Sequence, residues 1–318
     1  LDIAWPGFLG FSAKDFIRQY AEGDPAARDA LRSRLVTPIE RPHDRTLLPP
    51  VMLRRFKVDI LEGLPPRQVA VIEEPMPALQ QAAYDAVVQR IQIGDLSALA
   101  GLQMLRVASL HPDLVNPPQN LTEDAGFIAA SARFTVLFRI LDHIHAQQEK
   151  ALVFIELRDA QTALYGLIQR RYGLAAPRPE TINGETAAPA RDRIRRNFQA
   201  RHGFDVLILG PKAAGFGLTL TAANHVIHLN RWWNPAVEDQ CSDRVYRIGQ
   251  DKAVTIHLPL AVHPKLAERS FDHLLHELLE EKRDLSREIV VPVQFDERDF
   301  RRLFERSVNA PIVRDGAC

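Results

Sequence analysis

The feature that most constrains the fold is a series of short, uninterrupted apolar runs, each followed by a segment of helical period. ALVFIEL (Ala151 to Leu157), FDVLIL (Phe204 to Leu209), HVIHL (His225 to Leu229) and AVTIHL (Ala253 to Leu258) are apolar runs of this kind. Runs of this kind are buried on both faces, which is the property of a parallel sheet lying between two helical layers. Between them, residues 134–147, 160–172, 188–200 and 235–248 predict helices, and Thr181-Ile182 predicts a further short strand. The class is therefore α/β, with a parallel sheet covered by helices on both faces over residues 125–290. Residues 265–289 close that region with Phe271, Leu274, Leu275, Leu278 and Leu279 on one stripe, which predicts a helix packed against it.

Residues 1–124 read differently. A cap at Ser12 predicts a helix over 12–21, Pro38, Pro42, Pro49 and Pro50 bracket extended connections, and residues 69–72 form a short strand candidate. Apolar residues recur at helical spacing from Pro77 to Leu110. His111-Pro112 ends that run, and the polar, Pro/Asn-rich stretch over 112–124 predicts a domain boundary. Residues 291–318 form a C-terminal tail. The 40 basic and 40 acidic residues cancel, so any nucleic-acid footprint must be local. Cys241 and Cys318 form no metal-ligand spacing, and a reducing, cytoplasmic setting is the expectation. No apolar run reaches membrane-spanning length, so no membrane partner is expected. The chain opens at Leu1 inside plausible folded sequence and reads as a fragment of something longer.

Three motifs could carry chemistry. The glycine loop GPKAAGFG (Gly210 to Gly217) is not a P-loop, which needs a lysine and a hydroxyl residue after its last glycine. It nevertheless follows a parallel strand, where ligands of α/β sheets bind, and Gly215 and Gly217 would let backbone amides approach a phosphate. Taken alone, the loop reads first as a tight strand-to-helix turn. In the segment after it, Gln240, Arg244 and Arg247 fall on one helical face. Val237, Cys241, Val245 and Ile248 form an apolar face roughly 90° away. Two guanidiniums on an anchored helix suit phosphate oxygens, and Asp243 could tether one of them. Alone, this too reads as a solvated basic helix end. Trp232 and Trp233 stand side by side before Asn234-Pro235, and adjacent residues cannot both point inward from a simple turn. At least one is expected to pack against a partner, a base or a neighbouring element.

Together the residues AAGFGLTLTAANHVIHLNRWWNPAVEDQCSDRVYRIGQ resemble motifs V and VI of the Swi/Snf-type, helicase-related ATPases of superfamily 2. LDIAWPGFLGFSAKDF, PVMLRRFKVDILEGLPPRQ and LQMLRVASLHPDL resemble, in order, that family's segment after motif III, its R-R-x-K element and its L-R-x-x-x-x-H-P piece. SARFTVLFRILD, ALVFIEL and TINGETAAPARDRIRRNF resemble the opening and motifs IV and IVa of the second lobe. The resemblance spans roughly residues 1 to 290. It implies a RecA-like second helicase lobe preceded by a mostly helical end of the first motor lobe.

It also implies roles. Arg244 and Arg247 would be arginine fingers for an ATP held with Mg2+ mainly by the first lobe. Gly215, Gly217, Gln240 and Asp243 would bind or couple that nucleotide. Arg133, Gly184, Thr186, Lys212, Thr219, Trp232, Trp233 and Asn234 would face DNA, with a part in lobe structure as the alternative for Arg133, Gly184 and Thr186. Arg191 is a weaker candidate for phosphate, and Arg54, Arg55 and Lys57 fall in the first-lobe protrusion region. The implied partners are double-stranded DNA, the N-terminal motor lobe of the same protein and other protein subunits. The implied location is cytoplasmic, nucleoid-associated in a prokaryote and nuclear in a eukaryote. Ala214, Phe216 and Thr219 depart from the family's usual motif V, and Ile155-Glu156-Leu157 departs from a common Ser-Gln-Phe. No Walker lysine motif and no D-E-x-H-like motif occur in the 318 residues, so this chain alone is expected not to turn over ATP. A non-catalytic binding module that keeps the fold, and a strand-separating helicase, are the alternative readings.

Overall fold

The computed structural model describes residues 64–115, 123–211, 217–288 and 295–308, with Arg18, residues 25–37, 39–40 and 47–48. The expected helix over 12–21, apart from Arg18, and Arg54, Arg55, Lys57, Lys212, Ala214, Gly215 and Phe216 lie outside the described residues. The chain divides into two compact units, Leu1–Gly63 with Glu281–Val293, and Leu64–Glu280 with Gln294–Cys318. In the first, helix α1 (Pro25–Val36) precedes strands β1 (Ile39–Glu40) and β2 (Leu47–Leu48), which pair antiparallel.

The second unit is built on a six-stranded sheet. Its strands are β3 (Arg67–Pro75), β4 (Lys150–Phe154), β5 (Glu180–Ile182), β6 (Asp205–Leu209), β7 (His225–His228) and β8 (Val254–Val262). All pairings are parallel, in the order β3-β8-β7-β4-β6-β5. The α/β class read from the apolar runs is what the chain adopts, because every residue of β4, β6 and β7 is buried. Alternate residues feed different layers. Val153, Ile208 and Ile227 pack with α5 (Ala132–Ala146) and α6 (Arg158–Tyr172) on one face. Leu152, Phe154, Leu207 and Val226 pack on the other with Ile194 and Phe198 of α7 (Ala188–Ala200) and Cys241 of α8 (Pro235–Ser242).

A third cluster lies beyond β8. Tyr84 and Val87 of α2 (Ala78–Gln92), Leu102 and Leu105 of α3 (Ala98–Leu110), and Phe271, Leu274 and Leu278 of α9 (Phe271–Glu288) meet there. Leu303 and Val308 of α10 (Glu297–Val308) join them, so part of the tail is a packed amphipathic helix. A short α4 (Asp124–Ala129) leads into α5.

Two features differ from the sequence expectation. The boundary anticipated at 112–124 falls inside the second unit, because β3 pairs with β8 along all nine of its residues. The helix anticipated over 235–248 ends at Ser242. Beyond it the backbone forms turns, with Arg244 and Val245 donating to the carbonyls three residues back. The Arg244 carbonyl instead accepts from Leu220 N at 2.9 Å, so a tertiary bond takes the place of an intrahelical one. Ile248, expected on the apolar face, is 78% exposed as a result.

Candidate functional site

The site is assembled where the segment after β6 meets the segment after α8. Asn234 caps α8, its side chain accepting from Ala236 N at 2.9 Å, and Pro235 at the first position is preset for helical φ. Just before it, the Arg231 fork closes on Glu238, with Nε to Oε1 at 2.9 Å and Nη2 to Oε2 at 3.1 Å. Glu238 Oε1 also accepts from Trp232 N at 2.7 Å. Both charges are buried, so the double-tryptophan loop is pinned by a desolvated ion pair rather than by loop sequence alone.

After α8 the two arginines expected as fingers take different environments. Arg244 is 7% exposed, and its buried Nε has no hydrogen-bond partner among the described residues. Burial lowers its pKa from the ordinary guanidinium value, and the charge of Arg247 lowers it further. Arginine stays charged under such pressure, so this is a buried cation suited to an incoming anion. Arg247 is half-buried and held at two points. Its Nε donates to the Asp243 carbonyl at 3.1 Å and its Nη1 to Thr219 Oγ1 at 3.2 Å. Asp243, expected to tether one of the two arginines, holds Arg247 through its carbonyl, while its carboxylate lies 3.7 Å from Arg67 of β3, whose guanidinium also stands 5.7 Å from the Tyr246 ring. Gln240 is exposed on α8.

Gln250 has a structural task that the sequence alone did not reveal. Its Nε2 donates to the carbonyls of Ala223 at 2.8 Å, Thr221 at 3.2 Å and Val245 at 3.3 Å. It thereby stitches the arginine-bearing turn to the segment that carries Thr219. Gly217 has φ +71°, a left-handed conformation that glycine adopts at no steric penalty. Gly217, Leu218 and Thr219 form one wall of an open cleft of about 460 Å³. Ala188, Arg191, Asp192 and Arg195 of α7 form the other, and Arg195 was not anticipated.

The remaining expected residues scatter. Gly184 is exposed in the loop before α7, where Thr186 Oγ1 accepts from Asn183 N at 3.0 Å. Arg133 does not take the DNA-facing role: it is 1% exposed and paired with Asp272, so it cannot reach a nucleic acid and serves the lobe structure that was its alternative. Trp233 packs against Phe271, Phe295 and Phe300 at ring distances of 6.2, 5.6 and 5.3 Å. Its ring joins that aromatic packing while only partly buried, and Trp232, also partly buried, lies beneath the guanidinium of Arg106, 5.7 Å away. Arg106 also spans to Trp233 at 5.2 Å, Glu156 at 2.5 Å and the Arg231 carbonyl at 2.9 Å. Sequence reading assigned it no role; its place in the L-R-x-x-x-x-H-P piece was the available signal. Among the described residues, no helix is long and apolar enough to cross a membrane.

Residues 132–249 match the family described as helicase conserved C-terminal domain. The chain is 32% identical to Zorya protein ZorD of Escherichia coli O139:H28, over 91% of this chain and 27% of that protein. It is 32% identical to the putative ATP-dependent helicase/translocase YwqA of Bacillus subtilis, over 81% of this chain and 28% of that protein. It thus spans about a quarter of the length of the curated relatives it matches. Among solved structures it is similar to the Sulfolobus solfataricus SWI2/SNF2 ATPase core in complex with dsDNA. That match has a TM-score of 0.56 and 26% identity, and covers 90% of this chain and 57% of the other.

Proposed function

Residues 132–249 are a helicase conserved C-terminal domain and the chain's homologues are Snf2-family ATPases. From that premise we propose that it is the second motor lobe of an ATP-dependent translocase on double-stranded DNA. In this reading ATP is the substrate, held with its magnesium mainly by a first lobe, and Arg244 and Arg247 reach its phosphates when the lobes close.

The observation that carries the reading is the binding of the arginine turn to the glycine-loop segment. Leu220 N donates to the Arg244 carbonyl at 2.9 Å and Arg247 donates to Thr219 at 3.2 Å. Such a joint lets whatever touches residues 217–219 act on the two guanidiniums. The buried Arg244 Nε, with no partner among the described residues, fits a site completed by a phosphate oxygen. The chain's part of the chemistry is to bring fixed positive charge to the transferring phosphoryl group, which in phosphoryl transfer is worth roughly 10³–10⁵ in rate. Its other part is to track duplex by backbone contacts, which makes affinity salt-dependent and largely indifferent to sequence.

The test is Arg247→Ala in the protein carrying both lobes. DNA-stimulated ATP hydrolysis should fall by roughly 10³-fold or more, with an unchanged thermal midpoint. Near-parental turnover in that variant overturns the assignment. The 318-residue chain alone, mixed with duplex DNA and ATP, serves as the control and should show no hydrolysis above background.

A further inference from the structure

Arg67 is the first residue of β3, in register with Val254 of β8, and it stands against the arginine turn. Its Nη1 lies 3.7 Å from Asp243 Oδ1, and its guanidinium is 5.7 Å from the centre of the Tyr246 ring. Tyr246 is buried, so its ring is a fixed surface toward which cation–π attraction draws the guanidinium. The strand is anchored at the same point, because the Pro66 carbonyl accepts from Val254 N at 2.9 Å.

Asp243 is the sole acidic residue over 243–250, and both of its ends are in use. Its carbonyl accepts from Arg247 Nε at 3.1 Å, while its carboxylate faces Arg67. Both arginines of the turn thus follow closely on a carboxylate able to neutralise them. Burial and the charge of Arg247 lower the Arg244 pKa, and Cys241 and Asp243 act in the opposite direction, so the carboxylate is felt at Arg244. Arg244 Nε nevertheless has no hydrogen-bond partner among the described residues, and Arg247 bonds the Asp243 carbonyl rather than its carboxylate. A carboxylate left to itself pairs with the nearest guanidinium, and a guanidinium so paired has less to offer an incoming anion.

We propose that Arg67 is a positioning residue for ATP hydrolysis: it holds the Asp243 carboxylate away from Arg244 and Arg247 and keeps both charges available to a phosphoryl group. Arg67 draws the carboxylate toward β3, and Tyr246 keeps Arg67 in place. The carbonyl of Asp243 is left to orient Arg247. This rests on the motor reading above and gives it a third arginine, one that acts on the other two without touching the nucleotide.

The experiment is steady-state ATP hydrolysis by the two-lobe protein at saturating duplex DNA. Arg67→Gln should lower kcat about three- to fivefold, the worth of one partly exposed ion pair. Arg67→Lys keeps the charge and should retain most of the rate. In an Asp243→Asn background, where no carboxylate is left to hold, Arg67→Gln should cost nothing further. If Arg67→Gln slows the Asp243→Asn protein as much as it slows the parent, the proposal is overturned, because the arginine then serves the fold and not the carboxylate. A lysine variant as slow as the glutamine one overturns it too, since charge would not be what matters. An Asp243→Asn protein that hydrolyses no ATP does the same, because the carboxylate would then be required rather than held away. Parental kcat in Arg67→Gln beside an inactive Arg247→Ala overturns the part given to Arg67 and leaves the arginine reading standing. Parental kcat in Arg247→Ala overturns both.

Discussion

Arg133 and Asp272 face each other fork to fork inside the second unit, 1% and 0% exposed, with Arg133 Nε to Asp272 Oδ2 at 2.7 Å. Asp272 Oδ2 also accepts from Ala261 N at 2.8 Å, and Arg133 Nη1 donates to the Leu229 carbonyl at 2.8 Å. One ion pair thus joins α5, α9, β8 and the end of β7. Asp272→Ala would strand a buried guanidinium, and we expect a loss of about 3–5 kcal/mol in unfolding free energy by urea titration. The double variant Arg133→Met, Asp272→Leu should recover most of it. A single variant within about 1 kcal/mol of the parent would disprove the role.

Acid stability should be governed by a chain of groups at the start of β7 and β8. His225 Nδ1 meets His257 Nε2 at 3.1 Å, and His225 Nε2 meets Glu149 at 2.8 Å. Asn224 and Lys252 also donate to Glu149, at 2.7 and 3.0 Å. Burial, then the neighbouring His225 and His143, lowers the His257 pKa to about 4. Burial alone would raise the Glu149 carboxyl, but bonds from Asn224, His225 and Lys252 outweigh it and hold the pKa at about 2. The unfolded chain takes up a proton on His257 near pH 6.5, whereas the folded one resists until about pH 4. Stability is therefore full above pH 6.5 and falls by up to about 3 kcal/mol on the way to pH 4. Glu149 adds a second loss between its ordinary value and pH 2. In urea titrations at pH 7.5, 5.5 and 4, His257→Gln should flatten the first limb; an unaltered slope would rule this out.

The two adjacent tryptophans should separate cleanly. Trp233→Ala opens a hole among Phe271, Phe295 and Phe300, and about 3 kcal/mol of stability should go with it. Trp232→Ala, on a ring outside that aromatic packing, should change stability by less than about 1 kcal/mol. Thermal or urea unfolding of the two variants checks both statements, and equal losses would refute the assignment.

Strands β4, β6 and β7 were legible because burial on both faces leaves an uninterrupted apolar run, a pattern that no surface strand shares. The 188–200 helix was legible from its own period. The end of α8 was not, because Arg244 has a tertiary donor in Leu220 that no local pattern announces. The DNA-facing expectation for Arg133 failed for a related reason: its partner Asp272 lies 139 residues away, and an arginine on a helix reads as exposed until that carboxylate is known. The pairing of Arg247 with Thr219, 28 residues apart, is likewise a fact of packing. What the sequence carried about the site was its residue types; which of them touch is decided by the sheet order.

That order has a consequence for how the protein is made. Strand β3 is translated before every other strand of its sheet, yet its sole neighbour among the described residues is β8. Gln68 meets Thr255 across a separation of 187 residues. The first-made strand of this sheet therefore pairs last, and its backbone must wait unpaired while the intervening helices and strands emerge. Closure over so long a span is slow, and an unpaired edge is exposed to other chains meanwhile. Synthesis thus leaves a window in which the order of emergence, rather than the final contacts, decides whether the lobe assembles or aggregates.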